Sequence, residues 1–384
     1  MINYYYKGDE ITLKNHNNIR NDIGKYDDNK IVFPDKISGH SNNPSVFVSG
    51  IIYSIVVFLF LFIGSIVQSK EFYSGIIITE IVLILLPTIL LLKVFKCNIK
   101  STLRLNKINL FNLFLIFCIM IFSLPIVGIF NIINVWLSQL VFGKSLIVQP
   151  PTATTLKEVI LNVLVIGLIA GISEEVLFRG AIQKGLENLG ISASIIFTAV
   201  LFSMMHVQFE KLFGTFILGA LIGFIVYRTD SLYSGIFAHF SNNTIGVVAM
   251  YAVNKISGIS DETLISKDIE IVEIESIFDM FEGMPKGEII ASIIVGLIVL
   301  IISILVFTAL LYTLIKNTKE IVEKKVEIEC VKSANINKWE FLTFVPGLVL
   351  IILIFCIQAV ELKNFNIQSS SAVLNFTLLI QSIF

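Results

Sequence analysis

The chain has few charged residues for its length of 384 residues: Asp, Glu, Lys and Arg together make up 15%. A soluble globular domain carries about 25%. This deficit, with 55% hydrophobic residues and a mean hydropathy of +0.85, predicts a polytopic membrane protein. The net charge of −1 leaves no excess of basic residues, so a nucleic-acid partner is not expected.

Cysteine and histidine are scarce, with four residues of each. No CxxC pair occurs, so the sequence predicts neither a disulfide framework nor a thiolate zinc site. HExxH is also absent, which excludes the zinc site typical of soluble metalloproteases. The first residues, MINYYYKGDE, are polar, so a cleavable signal peptide is not expected.

Long apolar stretches are abundant and predict an all-α fold with eight or nine transmembrane helices around an intramembrane polar site. A membrane-spanning helix needs about 20 predominantly apolar residues. The predicted spans are 46–68, 75–95, 109–133, 156–188, 191–207, 211–228, 231–253, 288–315 and 339–360.

Changes in polarity divide the chain into five parts. They are a polar N-terminal tail (1–45), three N-terminal spans (46–142), a core with polar motifs (155–253), an acidic extramembrane loop (254–287) and the C-terminal spans (288–384). The amphipathic residues 361–384 are expected to lie at the membrane interface or to re-enter it.

Basic residues predict the orientation of the spans, because Lys and Arg accumulate in short cytoplasmic loops. One cluster, from Lys93 to Lys107, follows the second predicted span, and another, from Lys316 to Lys338, follows the eighth. Both lie in the cytoplasm if the N-terminus does. The acidic segment 254–287 then lies on the opposite side of a multi-pass cell-membrane protein.

Three predicted spans carry polar motifs. One charged side chain at the bilayer centre raises the free energy of insertion by roughly 2.5–3.5 kcal/mol, so these residues are expected to have a function. The motifs are Glu174-Glu175-x-x-x-Arg179, Phe202-x-x-x-His206 and His239-x-x-x-Asn243. Spacing of four places Glu175 with Arg179, Phe202 with His206, and His239 with Asn243 on shared helix faces. At 1.5 Å per residue, Glu174, both histidines and Asn243 lie roughly 12–24 Å from the cytoplasmic surface.

These residue types suit the hydrolysis of a peptide bond. Glu174 could act as the general base on water, with His206 orienting that water or holding a metal. His239 and Asn243 could donate hydrogen bonds to the developing oxyanion, while Arg179 neutralises Glu175. Zinc is a further option, because Glu174, His206 and His239 form a plausible ligand set with an open position for water.

Each residue also has a structural interpretation. His206 and Asn243 could be interhelical hydrogen-bonding residues, and Glu175 with Arg179 could be a buried structural pair. Phe202 favours packing, and Glu80, near the start of the second span, is expected at the interface. Two glycine pairs, Gly167 with Gly171 and Gly219 with Gly223, favour close helix packing.

With the motifs in the order EExxxR, FxxxH and HxxxN, residues 155–253 resemble the CPBP family of intramembrane proteases. This family is also called the Abi or CAAX-protease family and includes the type II CAAX prenyl endopeptidase. The resemblance implies an eight-helix core in which Glu174 and His206 activate water. It also implies that His239 and Asn243 form the oxyanion hole.

The sequence thus predicts an intramembrane endopeptidase that uses glutamate-activated water, whether or not a metal holds that water. Its expected partners are membrane lipid and a peptide or membrane-protein substrate, in peptide or bacteriocin maturation or CAAX-type processing. One alternative is a non-catalytic membrane scaffold or immunity protein. Another is a proton-coupled transporter, since buried Glu and His also serve proton relays, although the sequence lacks internal repeats.

Overall fold

The computed structural model describes residues 5–7, 10–12, 43–149, 153–256, 270–274, 281, 283–329 and 337–364. The chain divides into two compact units, Met1–His40 and Ser41–Phe384. In the first unit, strands β1 (Tyr5–Lys7) and β2 (Glu10–Thr12) pair antiparallel, with Tyr5 opposite Thr12. The rest of the polar tail and nearly all of the predicted amphipathic end lie outside the described residues.

The second unit is built from helices, which confirms the predicted all-α class. The helices are α1 Val46–Gln68, α2 Phe72–Val94, α3 Ile99–Thr102, α4 Leu110–Phe142, α5 Leu156–Leu189, α6 Ile191–Met205, α7 Phe209–Thr229, α8 Leu232–Ile256, α9 Lys286–Asn317, α10 Lys319–Glu329 and α11 Val345–Asn364. A 3₁₀ segment, Lys338–Phe344, precedes α11. All nine predicted spans coincide with helices.

Seven of the described helices are long and apolar enough to cross a membrane. Two predicted spans fall short of that measure for different reasons. Helix α6 has only 15 residues, and α8 has 25 residues but carries a run of polar side chains from His239 to Thr244. These two helices bear the histidine motifs, so the polar site lies on helices that are individually poor membrane spans.

Helix α4 is longer than predicted, ending at Phe142 instead of residue 133. The side chain of Asn109 caps its start by accepting a hydrogen bond from the Asn112 backbone N–H at 2.7 Å. The apolar sequence continues beyond one membrane thickness until Gly143, which adopts a left-handed φ of 83°. Glycine ends a helix easily in this conformation, so the stop signal is Gly143 and not the span length.

Two apolar clusters hold the helices together. The first joins α1, α2, α5, α6 and the segment leading into α11, with Tyr53, Phe178, Phe202 and Phe344 at most 1% exposed. The second joins α4, α7, α8 and α9, and includes Met120 and Ile222. The site described below lies where α5, α6, α7 and α8 meet between these clusters.

Arg104, in the connector between α3 and α4, joins several turns at one end of the second unit. It pairs with Glu187 at the end of α5 and, at 3.2 Å, with Asp230 in the α7–α8 turn. Its Nη1 donates to the carbonyl oxygen of Arg179 at 3.2 Å. At the end of α7, Arg228 Nε donates to Thr318 Oγ1 at 3.0 Å. The connector with the first basic cluster thus contacts the α7–α8 turn, and the end of α7 contacts the start of the second basic cluster.

The predicted acidic loop contributes a strand. Strand β4 (Glu270–Ile274) pairs antiparallel with β3 (Ser145–Gln149), with Ser145 opposite Ile274. Ser145 Oγ also donates to Glu210 Oε1 at 3.1 Å, which links the strand to the start of α7. Most of the remaining acidic loop lies outside the described residues.

We expect Arg104→Ala to destabilise the protein, because Arg104 is 3% exposed and its removal breaks its ion pairs with Asp230 and Glu187, although Glu187 keeps its pair with Lys184. Breaking a buried ion pair costs about 3 kcal/mol or more. Thermal unfolding in detergent should show a lower Tm. Lys107→Ala, at an exposed lysine of the same connector, should leave the Tm unchanged. Equal Tm values for the two variants would contradict the anchoring role of Arg104.

Candidate active site

Helix α5 carries the two glutamates of the first motif on an α-helical segment between two π-helical stretches, the second of which contains Arg179. Ala170–Glu175 is α-helical, and Val163–Ile169 and Val176–Gln183 on either side are π-helical. Departures of this kind from α-helical geometry occur frequently at functional sites. The helix is continuous through these changes, and its two π-helical stretches flank the two glutamates.

Glu175 is the junction between α5 and α8. Its Oε1 lies 2.8 Å from Arg179 Nη1 and accepts a hydrogen bond from His239 Nδ1 at 3.0 Å. The side chains of Glu175 and Arg179 are 0% exposed, and that of His239 is 4% exposed. The predicted Glu175–Arg179 pair is confirmed. The hydrogen bond from His239 was not predicted, because it joins two helices.

Arg179 extends the same network to α6 and α7. Its Nη2 donates to the Gly219 carbonyl oxygen at 3.0 Å, and its guanidinium carbon lies 4.7 Å from the centre of the Phe202 ring. This distance is typical of a cation–π interaction. One turn further along α5, Gln183 Nε2 donates to the Gly223 carbonyl oxygen at 3.0 Å. Gln183 was missed at the sequence level, although its spacing of four from Arg179 was a usable signal.

Phe202 brings the two histidines of the motifs together. Its ring centre lies 4.7 Å from that of His206 and 5.9 Å from that of His239, both in edge-on arrangements. His206 Nδ1 lies 2.8 Å from the Phe202 carbonyl oxygen. Since a carbonyl oxygen only accepts, Nδ1 carries the proton, and Nε2 is the accepting nitrogen of the neutral ring. Phe202 therefore has the predicted packing role and also fixes both imidazoles.

Asn243 lies one helical turn beyond His239 on α8. Its Nδ2 donates to the Ile166 carbonyl oxygen at 2.9 Å, and its Oδ1 accepts from Asn242 Nδ2 at 3.0 Å. These two bonds fix the orientation of the side-chain amide. A primary amide has two N–H groups, so the bond to Ile166 leaves the second N–H as a possible donor.

Glu174 has surroundings different from those of Glu175. It is 2% exposed, and its Oε2 has no hydrogen-bond partner among the described residues. Its carboxyl group interacts electrostatically with His239, Glu80, Glu175 and Arg179. Glu174 therefore interacts with the charges of these four residues but makes none of the direct bonds that Glu175 makes to Arg179 and His239.

Glu80 is buried among the helices, whereas the sequence-based expectation placed it at the membrane interface. It is 1% exposed and lies in the π-helical stretch Ile78–Leu85 of α2, which packs against Ala170–Glu175. Its position eight residues after the start of α2 suggested a shallow location, but the neighbouring helices cover it. An ionisable residue within a membrane span is a functional candidate by default, and that signal was available in the sequence.

The predicted zinc set of Glu174, His206 and His239 stays a prediction. In the described ranges, no group of three His, Cys, Asp or Glu side chains is arranged to hold a metal ion. Nδ1 of His206 is engaged with Phe202, and Nδ1 of His239 is engaged with Glu175. Hydrogen bonds at Nδ1 orient a histidine ring in the same way whether its Nε2 meets water or a metal.

Both predicted glycine pairs lie at close helix contacts, as expected. A Cβ atom on Gly219 would lie 2.9 Å from Phe202 Cδ1, and one on Gly167 would lie 3.2 Å from Thr244 Oγ1. A third glycine, Gly235 of α8, touches the site itself, because its Cβ would lie 2.7 Å from Glu175 Oε2. Small residues therefore allow α5, α6, α7 and α8 to approach closely enough for the polar contacts.

Residues 156–245 match the family described as type II CAAX prenyl endopeptidase Rce1-like. The match includes all three motifs and the helices that bring them together. This match supports the family expected from the motifs, which at family level is one of CAAX-type endopeptidases. No curated protein and no solved structure matches the chain.

We expect Gly235→Ala to destabilise the protein, since the new methyl group would lie 2.5 Å from Val226 Cγ2 and 2.7 Å from Glu175 Oε2. Overpacking of this kind costs about 1–3 kcal/mol. The matched control is Gly246→Ala on the same helix, where a Cβ meets nothing within 4 Å. Thermal unfolding should give a lower Tm for Gly235→Ala alone. A wild-type Tm for that variant would contradict the close approach of α8 to Glu175.

Proposed function

We propose that this protein is an intramembrane endopeptidase in which Glu174 is the general base on the attacking water. The supporting observation is the difference between two adjacent glutamates. Glu175 is paired with Arg179 and bonded to His239, while Glu174 Oε2 has no partner among the described residues. A buried carboxylate that makes no ion pair is well suited to take a proton from water.

His206 is the second group on the water. Its Nδ1–H is held by the Phe202 carbonyl, so the ring is fixed in one orientation with Nε2 as acceptor. In this role Nε2 accepts one O–H of the water and directs its oxygen lone pair towards the scissile carbonyl carbon. Phe202 positions His206 through the backbone bond and the ring contact.

His239 and Asn243 are the proposed donors to the oxyanion. The Glu175 carboxylate on Nδ1 of His239 stabilises an imidazolium, in which Nε2 carries a proton and can donate. Asn243 contributes the second N–H of its amide, whose orientation Ile166 and Asn242 fix. Donors fixed before the reaction are effective because they need no reorganisation as charge develops.

The steps of the proposed mechanism are those of the protein's own groups; if a zinc ion is bound, Glu174, His206 and His239 would hold it, and it would polarise the attacking water. Glu174 removes one proton from water as the C–O bond forms. The tetrahedral intermediate then collapses, the C–N bond breaks, and the proton on Glu174 passes to the leaving nitrogen.

The proposed substrate is a peptide or membrane protein with an apolar segment next to the cleaved bond. An apolar cavity of about 450 Å³ lies between α4, α6 and α7, and Ser203 and Met204 of its lining stand shortly before His206. This location favours an apolar chain close to the reacting groups. CAAX-type processing and peptide maturation both provide such substrates. We further propose that the end joined by Arg104 faces the cytoplasm, as its basic residues indicate.

Glu174→Gln should abolish peptide cleavage, because an amide cannot take a proton from water. General acid–base groups contribute about 10²–10⁴-fold to rate, and the loss should be of that size or greater. The assay is cleavage of a library of membrane-anchored peptides by protein purified in detergent, with and without chelator. Glu158→Gln is the matched control on α5, since glutamine can also serve as the third residue of the cap that Thr155 begins.

Normal cleavage by Glu174→Gln would refute the assignment of the base. Loss of wild-type cleavage on chelation would show that a metal takes part. If neither wild type nor variant cleaves any peptide but both bind the same partner, the scaffold interpretation replaces the protease.

Asn243→Ala should lower kcat by about 10²–10³-fold with little change in KM, because its donor acts on the transition state. The matched control is Thr244→Val, which removes a neighbouring hydroxyl group that has no hydrogen-bond partner among the described residues. Steady-state kinetics on the best peptide substrate separate the two parameters. An Asn243→Ala effect confined to KM would argue against an oxyanion role.

A further inference from the structure

Glu80 is a buried carboxyl group that the proposed mechanism does not yet use. It is 1% exposed, and its Oε2 has no hydrogen-bond partner in the part of the chain that the structure describes. The other carboxyl oxygens in this condition belong to Glu174 and Glu175. All such oxygens among the described residues are therefore at or beside the candidate site.

The position of Glu80 places it opposite Glu174. The stretch Ile78–Leu85 of α2 packs against Ala170–Glu175 of α5, and the two carboxyl groups interact electrostatically. Through Glu80, a fifth helix, α2, joins the site formed by α5, α6, α7 and α8. The family match begins at residue 156 and does not include it.

The two cationic side chains of the site bind Glu175 and not Glu80. Arg179 and His239 both contact Glu175 Oε1, at 2.8 and 3.0 Å. A carboxyl group taken out of water without a donor is costly. An apolar residue at position 80 would remove that cost. A purely structural role therefore does not explain a carboxyl group at position 80. A role in binding water does explain it.

We propose that Glu80 is a further catalytic residue, a second carboxyl group beside Glu174 that receives the second proton of the hydrolytic water. This inference rests on the proposed function. Water has two O–H groups, and the reaction treats them differently. Glu174 removes one proton, which goes on to the leaving nitrogen as the C–N bond breaks. The other O–H, which His206 holds during the attack, becomes the hydroxyl of the acid product, and Glu80 takes its proton as the product carboxylate forms and passes it to the amine, which leaves as an ammonium ion.

The test compares Glu80→Gln and Glu80→Leu with wild type in the same peptide-cleavage assay. Neither side chain can take a proton, so kcat should fall at least about tenfold for both, with KM within about twofold. The leucine variant also loses an unpartnered buried carboxyl group, so its Tm should be equal to or above that of the wild type. A residue needed only for folding would give the opposite combination, a lower Tm with kcat unchanged.

The matched control is Thr88→Val on the same helix. Thr88 is buried, and its Oγ1 donates to the Ile84 carbonyl within α2, away from the site. Its kcat should equal that of the wild type, and a loss as large as that in the Glu80 variants would overturn the inference. A wild-type kcat in either folded Glu80 variant would also overturn it, while loss of cleavage in Glu174→Gln would still support the proposed function. Absence of cleavage by the wild type would overturn both.

Discussion

The ion pair between Arg179 and Glu175 is the interaction on which the arrangement of the core depends. A guanidinium that is 0% exposed within a membrane protein needs a counter-charge, and Glu175 supplies it from the same helix face. The pair then binds other helices, through His239 on α8, Gly219 on α7 and Phe202 on α6. One buried charge pair therefore fixes the relative positions of four helices.

This interaction also separates the roles of two adjacent glutamates. Successive residues of a helix point about 100° apart, so Glu174 cannot share the partners that Glu175 has. Since Arg179 and His239 are engaged on Glu175, Glu174 stays close to positive charge without a direct bond to it. The pair stabilises the helices, and in doing so it leaves its neighbour available for chemistry.

Much of this arrangement could be predicted from sequence, because it depends on spacing along one helix. The nine helices at the predicted spans follow from the length of the apolar stretches, and the Glu175–Arg179 pair and the close packing at Gly167 and Gly219 follow from a spacing of four along one helix. Contacts between helices could not be predicted in the same way. The bond from His239 to Glu175 requires knowing which helices are neighbours, and neighbouring helices are not evident from the spacing of residues along one helix.

The burial of Glu80 does not follow from its position along α2. Counting residues from the start of α2 places it about 12 Å along the helix, which suggested contact with headgroups or water. Depth along one helix does not determine exposure, because exposure depends on the helices packed around it. Here α5 covers Glu80 with the segment that carries Glu174. Buried carboxyl oxygens without partners lower stability, so their concentration at one place indicates that this part of the core is organised for reaction and not for packing.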